Sequence, residues 1–138
     1  MEIRYKKLEE RAVTPFKKHA PDAGFDLTAT WKKVYPKYTE YGTDLSFETP
    51  NGYVGFLFPR SSVRNQDLIL KNSVGVLDAT YRGEVKFSFY NLEGNDTYEV
   101  GERCGQIVFI KLPEIELVEA EELSETDRGA GGYGSSGK

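Results

Sequence analysis

The sequence predicts an all-β domain of the sandwich or barrel-like kind. Three observations carry this prediction. Short runs rich in Tyr, Phe, Val, Ile and Thr recur along the chain, glycines and prolines sit between them, and no long stretch shows helical spacing of apolar residues. The aromatics, 13% of the chain and mostly Tyr and Phe, suit a pleated, half-buried surface.

Strands are expected at residues 3–5, 25–30, 44–48, 53–58, 68–70, 84–90, 96–100, 106–111 and 115–118. Ile3 with Tyr5, Leu45 with Phe47, and Phe87 with Phe89 each recur at the two-residue period that sends one residue type to one face. Turns are marked by Pro50-Asn51-Gly52, Arg82-Gly83 and Gly94-Asn95. Residues 72–78 read as one limb of a hairpin. The single helical element expected is a short turn after Pro59, within residues 61–68.

A chain of 138 residues has the size of one domain. Its 18 Lys and Arg against 22 Asp and Glu leave a net charge of −4. That balance lacks the basic footprint of a non-specific nucleic-acid binder, so no nucleic-acid partner is expected and any anionic ligand must meet a few local cations. One Cys excludes an internal disulfide framework, and one Cys with one His is too few for a zinc site. No run approaches the roughly 20 apolar residues of a membrane span, and the N-terminal stretch lacks the apolar centre of a signal peptide. The expectation is a soluble protein of the cytoplasm (host cytoplasm if the source is viral) with no membrane partner.

Residues 114–127 are acidic, and five of the 14 glycines fall in the last 11 residues. A segment so poor in apolar groups cannot offset its own ordering entropy. The chain therefore divides into a β domain, 1–125, and a mobile arm, 126–138. A Gly/Ser tail is ordinarily a linker, but Arg128 and Tyr133 argue against an inert spacer. The stretch from Gly132 to Lys138 spells most of a phosphate-binding P-loop. It lacks the closing Ser/Thr and the helix that binds phosphate, and is set aside.

Five segments carry the chemistry: AGFDLTA at 23–29, PRSS at 59–62, GVLDATYRGE at 75–84, GERCGQ at 101–106 and RGAGGYGSSG at 128–137. Arg60, Arg103 and Arg128 supply planar forks suited to phosphate oxygens. Ser61, Ser135 and Ser136 add hydroxyl donors, and the glycines let backbone N–H groups approach closely. Any one of these arginines alone reads as a solvated surface charge. Asp78 adjoins an apolar run, where a carboxylate needs a partner or its pKa rises. It also fits a turn aspartate bonded to its own backbone.

In order and spacing the five segments resemble the motifs of the trimeric dUTP pyrophosphatases, from about residue 22 to the C-terminus. The resemblance implies a jelly-roll-like (β-clip) fold and a homotrimer whose active sites draw on three chains, one lending its Gly-rich arm. It implies hydrolysis of dUTP to dUMP and pyrophosphate by water attacking the α-phosphorus, with Asp78 orienting and deprotonating that water. Arg60, Ser61, Ser62, Arg103, Gln106, Arg128, Gly134, Ser135 and Ser136 are implied substrate-binding residues. Backbone groups around Asn72 and Gly75 are implied to read the uracil edge, with Tyr133 closing over the ring. Tyr81 is implied to pack under the deoxyribose and to exclude a 2′-hydroxyl, although a core tyrosine is the rival reading. Mg²⁺ is the implied cofactor, carried through phosphates and waters, with Asp26 beyond a water. Asp26 fits equally a structural residue at the Gly24 turn.

The chain departs from the common family pattern at Ser62 (often Gly), Gly105 (often Ala), Tyr133 (Phe) and Ser136 (Thr). Cys104 reads as a small core residue, and His19 and Trp31 as surface or packing residues. Two alternatives stand beside the hydrolase. One is a dUTP-responsive binding or signalling module, which would have no need of Asp78. The other is a dCTP deaminase of the same fold, which needs a carboxylate where this chain has Ser88.

Overall fold

The computed structural model describes residues 1–94 and 96–137. Asn95, half of the expected Gly94-Asn95 turn, and Lys138, the end of the expected arm, lie outside the described residues. The strands are β1 (Arg4–Lys7), β2 (Phe25–Thr28), β3 (Trp31–Val34), β4 (Tyr38–Gly42), β5 (Leu45–Glu48), β6 (Tyr53–Phe58), β7 (Leu68–Leu70), β8 (Gly75–Leu77), β9 (Lys86–Asn91) and β10 (Arg103–Lys111). A short 3-10 helix, Ser61–Asn65, follows β6.

Every pairing is antiparallel. One four-stranded sheet runs β2-β10-β6-β8, a second runs β3-β4-β9-β7, and β1 with β5 forms a small third. The two larger sheets share one core. Leu27, Leu57, Leu77, Cys104 and Ile107 come from the first sheet, and Tyr41, Leu70, Phe87 and Phe89 from the second. The expected alternation holds in β9, where Phe87 and Phe89 are buried and Tyr90 is exposed. This is an all-β, jelly-roll-like architecture.

Four strand expectations change. β3 and β4 were not anticipated, because Lys32, Lys33, Pro36 and Glu40 mask the pattern. The inner face is carried by Thr39 and Tyr41, both buried. Trp31 packs against Gly42, where a Cβ would overlap its ring. Residues 96–100 form no strand: Glu99 N–H donates to Glu102 Oε2 and Glu102 N–H to Glu99 O, a tight turn that contains Gly101 at φ 95°. Residues 115–118 form none either, and Ile115, Leu117 and Val118 stand exposed. Gly105 has a packing reason, since a Cβ there would overlap the Phe87 ring.

Candidate functional site

The first group of site residues stands on one rung of the β2-β10-β6-β8 sheet. Gln106 of β10 pairs with Asp26 on one side and Phe58 on the other, and β6 then turns out through Pro59 into Arg60. Asp26 binds both forks at once: Arg60 Nε lies 2.9 Å from Oδ1, and Arg103 Nη1 lies 3.0 Å from Oδ2. Arg103 also stacks over the Phe16 ring at 4.9 Å. Gln106 Nε2 donates to Pro59 O at 3.0 Å, while its Oε1 fills the space beside Gly24 that a Cβ would need. Arg60 Nη1 donates to Ser62 Oγ at 3.1 Å and to Arg103 O at 3.3 Å. Ser61, opening the 3-10 helix, is exposed. Two guanidiniums against one carboxylate leave a net positive charge for an anion. Both forks reach the surface, with side-chain exposures of 22% for Arg60 and 40% for Arg103.

The second group surrounds β8. Gly75 faces Leu57 of β6, and a Cβ there would press on that leucine at 2.8 Å. Asn72, Gly75 and Tyr81 line a cleft of 270 Å³ with Leu57, Val85 and Lys86. Its walls mix apolar and polar groups, as small-ligand sites do. Asp78 directly follows β8 and is exposed. Tyr81 N–H donates to Asp78 O at 3.1 Å, closing a turn directly after β8. The Tyr81 hydroxyl donates to Glu84 O at 3.0 Å, and its ring end occupies the space over Gly83. Tyr81 is half-exposed, not a core tyrosine.

Sequence reasoning passed over what anchors this loop. Glu84 Oε1 accepts Trp31 Nε1–H and the Asp44 N–H, both at 2.9 Å. Asp44 is buried, and its carboxylate accepts Thr30 Oγ1 and Arg11 Nε, each at 2.6 Å. Burial pushes the Asp44 pKa up, but the Arg11 and Thr30 hydrogen bonds outweigh burial and hold it below the usual carboxylate value. Cys104 is fully buried and its thiol is pushed up to about 12 by burial, which leaves it an inert core group. His19 is exposed.

The third group is the tail. Arg128 Nε donates to Gly131 O at 2.7 Å, and the turns closed by Gly131, Ser135 and Gly137 N–H groups are internal to the segment. Tyr133, Ser135 and Ser136 are exposed, with Tyr133 at φ 52° and Gly134 at φ 86°. Among the described residues, no hydrogen bond or ion pair ties the tail to the β body.

Within one chain these groups stand apart. Asp78 lies one residue beyond the Leu77–Gly55 pair, level with Val54, whereas the arginine rung passes through Phe58. Four strand steps of ~3.3 Å put about 13 Å between the two levels. The Arg60 side chain turns across its own rung to Asp26, not along β6 toward Asp78.

The chain matches the sequence profile of the dUTPase family over residues 10–137. It is 38% identical to the deoxyuridine 5′-triphosphate nucleotidohydrolase of Nautilia profundicola, with all of both chains covered. It is also 38% identical to that of Corynebacterium glutamicum, covering 99% of this chain and 95% of the relative. Among solved structures it is similar to a G164S variant of the Staphylococcus bacteriophage 80alpha dUTPase with dUpNHpp, at a TM-score of 0.86 and 27% identity with 99% of each chain covered.

Proposed function

We propose how this chain works from one premise: it belongs to the dUTPase family and hydrolyses dUTP to dUMP. Water attacks the α-phosphorus in line, and the Asp78 carboxylate orients it and accepts its proton. The bond to the bridging oxygen of the β-phosphate breaks, and pyrophosphate leaves with that electron pair. Arg60 and Arg103, held by Asp26, grip phosphate oxygens together with Ser61, Ser62 and Gln106. Backbone groups near Asn72 and Gly75 read the uracil edge in the cleft beside β8, and Tyr81 packs against the deoxyribose. The domain ends near residue 125, and residues 126–138 act as an arm that closes over substrate. Arg128, Gly134, Ser135 and Ser136 then meet the phosphates, and Tyr133 covers the base.

One observation carries the assembly. The arginine rung and the Asp78 level lie about 13 Å apart on one sheet, and among the described residues the tail's hydrogen bonds are internal to it. A homotrimer with shared sites brings the three groups together, each from a different copy. The exposed Ile115, Leu117, Val118 and Leu123 beyond β10 supply apolar surface for contact between copies.

Mg²⁺ is the proposed cofactor. Among the described residues no cluster of three or more His, Cys, Asp or Glu could cage a metal. An ion arriving on the triphosphate with its waters retained needs no such cage, and Asp26 would stand beyond one of those waters. Bound there, the ion would neutralise charge developing on the phosphates. The proposed location is the cytoplasm, or the host cytoplasm for a viral source. Among the described residues, no helix is long and apolar enough to cross a membrane.

A second reading rests on the similarity to the phage 80alpha enzyme, whose study describes phage dUTPases as controlling transfer of virulence genes. A dUTP-responsive switch is compatible with catalysis, and tight dUTP binding without turnover would favour the switch alone. Ser88 on β9 supplies no carboxylate for deamination, and ammonia release from dCTP would reverse that judgement. The deciding assay is Mg²⁺-dependent pyrophosphate release from dUTP, dTTP, dCTP and UTP. Asp78→Asn should lower dUTP turnover by ~10²–10⁴-fold with binding retained. Turnover within tenfold of the unmodified chain would remove Asp78 from the role.

A further inference from the structure

Ser62, the last residue of the PRSS segment, contacts Tyr98, which lies outside all five sequence segments. The Ser62 hydroxyl sits between two groups: Arg60 Nη1 at 3.1 Å and the Tyr98 hydroxyl at 3.0 Å. We propose that Tyr98 is a positioning residue that acts through Ser62 to fix the Arg60 fork and to aim the Ser62 hydroxyl at bound phosphate. The proposal rests on the reading above that Arg60 grips the triphosphate.

The hydrogen-bond inventory supports it. A serine hydroxyl offers two lone pairs and one hydrogen. Arg60 can only donate, so it takes one lone pair. Tyr98 is 3% exposed, and a buried O–H needs an acceptor. Assigned as the donor to Ser62 Oγ, the Tyr98 O–H takes the second lone pair. Both lone pairs are then engaged by protein donors, and the serine hydrogen is left for an anion.

Tyr98 has the rigidity such a role requires. Tyr41 Oη–H donates to Tyr98 O at 3.0 Å. The Tyr98 ring meets Tyr41 edge-on, with centroids 6.2 Å apart, and tilts against Phe89 at 6.0 Å. Burial raises the phenol's pKa, so the donor stays protonated at neutral pH. In place of the expected strand, residues 96–99 are irregular and the Glu99–Glu102 turn follows them, with Tyr98 buried. A glycine at position 62 would leave the buried phenol without this partner.

The test is a double-mutant cycle on the intact assembly with Tyr98→Phe, Ser62→Ala and the double variant. Steady-state kinetics with dUTP are read beside competitive inhibition by deoxyuridine, which has no phosphate. Tyr98→Phe should raise KM for dUTP about threefold to tenfold and leave the deoxyuridine constant unchanged. In the Ser62→Ala background it should add less than twofold. Ser62→Ala, at a half-buried position, reports on the same pair should Tyr98→Phe misfold, and should weaken dUTP by a similar factor. An unchanged KM in either single variant, an equal effect of Tyr98→Phe in both backgrounds, or a matching loss for deoxyuridine would overturn the proposal. Calorimetric affinities for a non-hydrolysable dUTP analogue give the same ratios. An unmodified chain that binds the analogue without turnover therefore counts against the catalytic reading alone.

Discussion

Replacing Asp26 with asparagine should weaken both the fold and the grip on substrate. The carboxylate places one oxygen on Arg60 at 2.9 Å and the other on Arg103 at 3.0 Å. Asparagine keeps the shape and one acceptor but loses the charge and the second acceptor. A buried hydrogen bond to a charged group contributes about 1.5–3 kcal/mol, and an exposed ion pair about 0–1 kcal/mol. With Asp26 19% exposed, an intermediate ~1 kcal/mol per contact is reasonable. Losing one contact, weakening the other and leaving two guanidiniums to repel costs about 2 kcal/mol. For a chain of this size that is a fall in Tm of roughly 6–8 °C. The forks also lose their common anchor, so KM for dUTP should rise about tenfold while deoxyuridine inhibition stays constant. Differential scanning fluorimetry and pyrophosphate-release kinetics read both effects. A Tm within ~1 °C of the unmodified protein together with an unchanged KM would refute the bridging role.

Other consequences follow from the tail and from Asp44. Deleting residues 128–138 should leave a folded assembly of unchanged Tm with turnover severely reduced, as measured by scanning fluorimetry, light scattering and kinetics; loss of folding would show that the tail belongs to the core. Asp44→Asn should melt below the unmodified protein at pH 7. The Asp44 folded-state pKa lies below its ordinary 3.8, so its stabilisation is present above that value and is lost as pH falls through the lower folded value. The gap in Tm should therefore narrow as pH drops below about 4, and a constant gap down to pH 2 would contradict the assignment.

Much of the fold was legible where one residue type kept to one face. Phe87 and Phe89 announced β9, Leu45 announced β5, and the run from Tyr53 to Phe58 announced β6 at its true limits. β3 and β4 were hidden because Lys32 and Lys33 put charge on both faces of β3, which buries no residue, and Glu40 interrupts the aromatic run of β4. Residues 96–100 show the reverse error. Their apolar members are β-prone, but the Glu99–Glu102 turn and the demand to bury Tyr98 override propensity. The candidate site residues could be named because the five short segments that resemble the family's motifs are local in the sequence. Their partners could not, because Asp26 with Arg103 and Ser62 with Tyr98 are contacts across 77 and 36 residues. Glu84 fell inside a recognised segment, yet its bonds to Trp31 and the Asp44 backbone depend on packing between sheets.

The sharing of sites between copies can be tested by subunit mixing. Asp78→Asn and Arg60→Ala chains, each inactive alone, are co-refolded in equal amounts and assayed for dUTP turnover. If a site takes its carboxylate from one copy and its fork from another, one quarter of sites receive both intact groups, and ~25% of the unmodified activity returns. If both groups serve a site within one chain, no mixture contains an intact site, and turnover stays at the level of the separate variants.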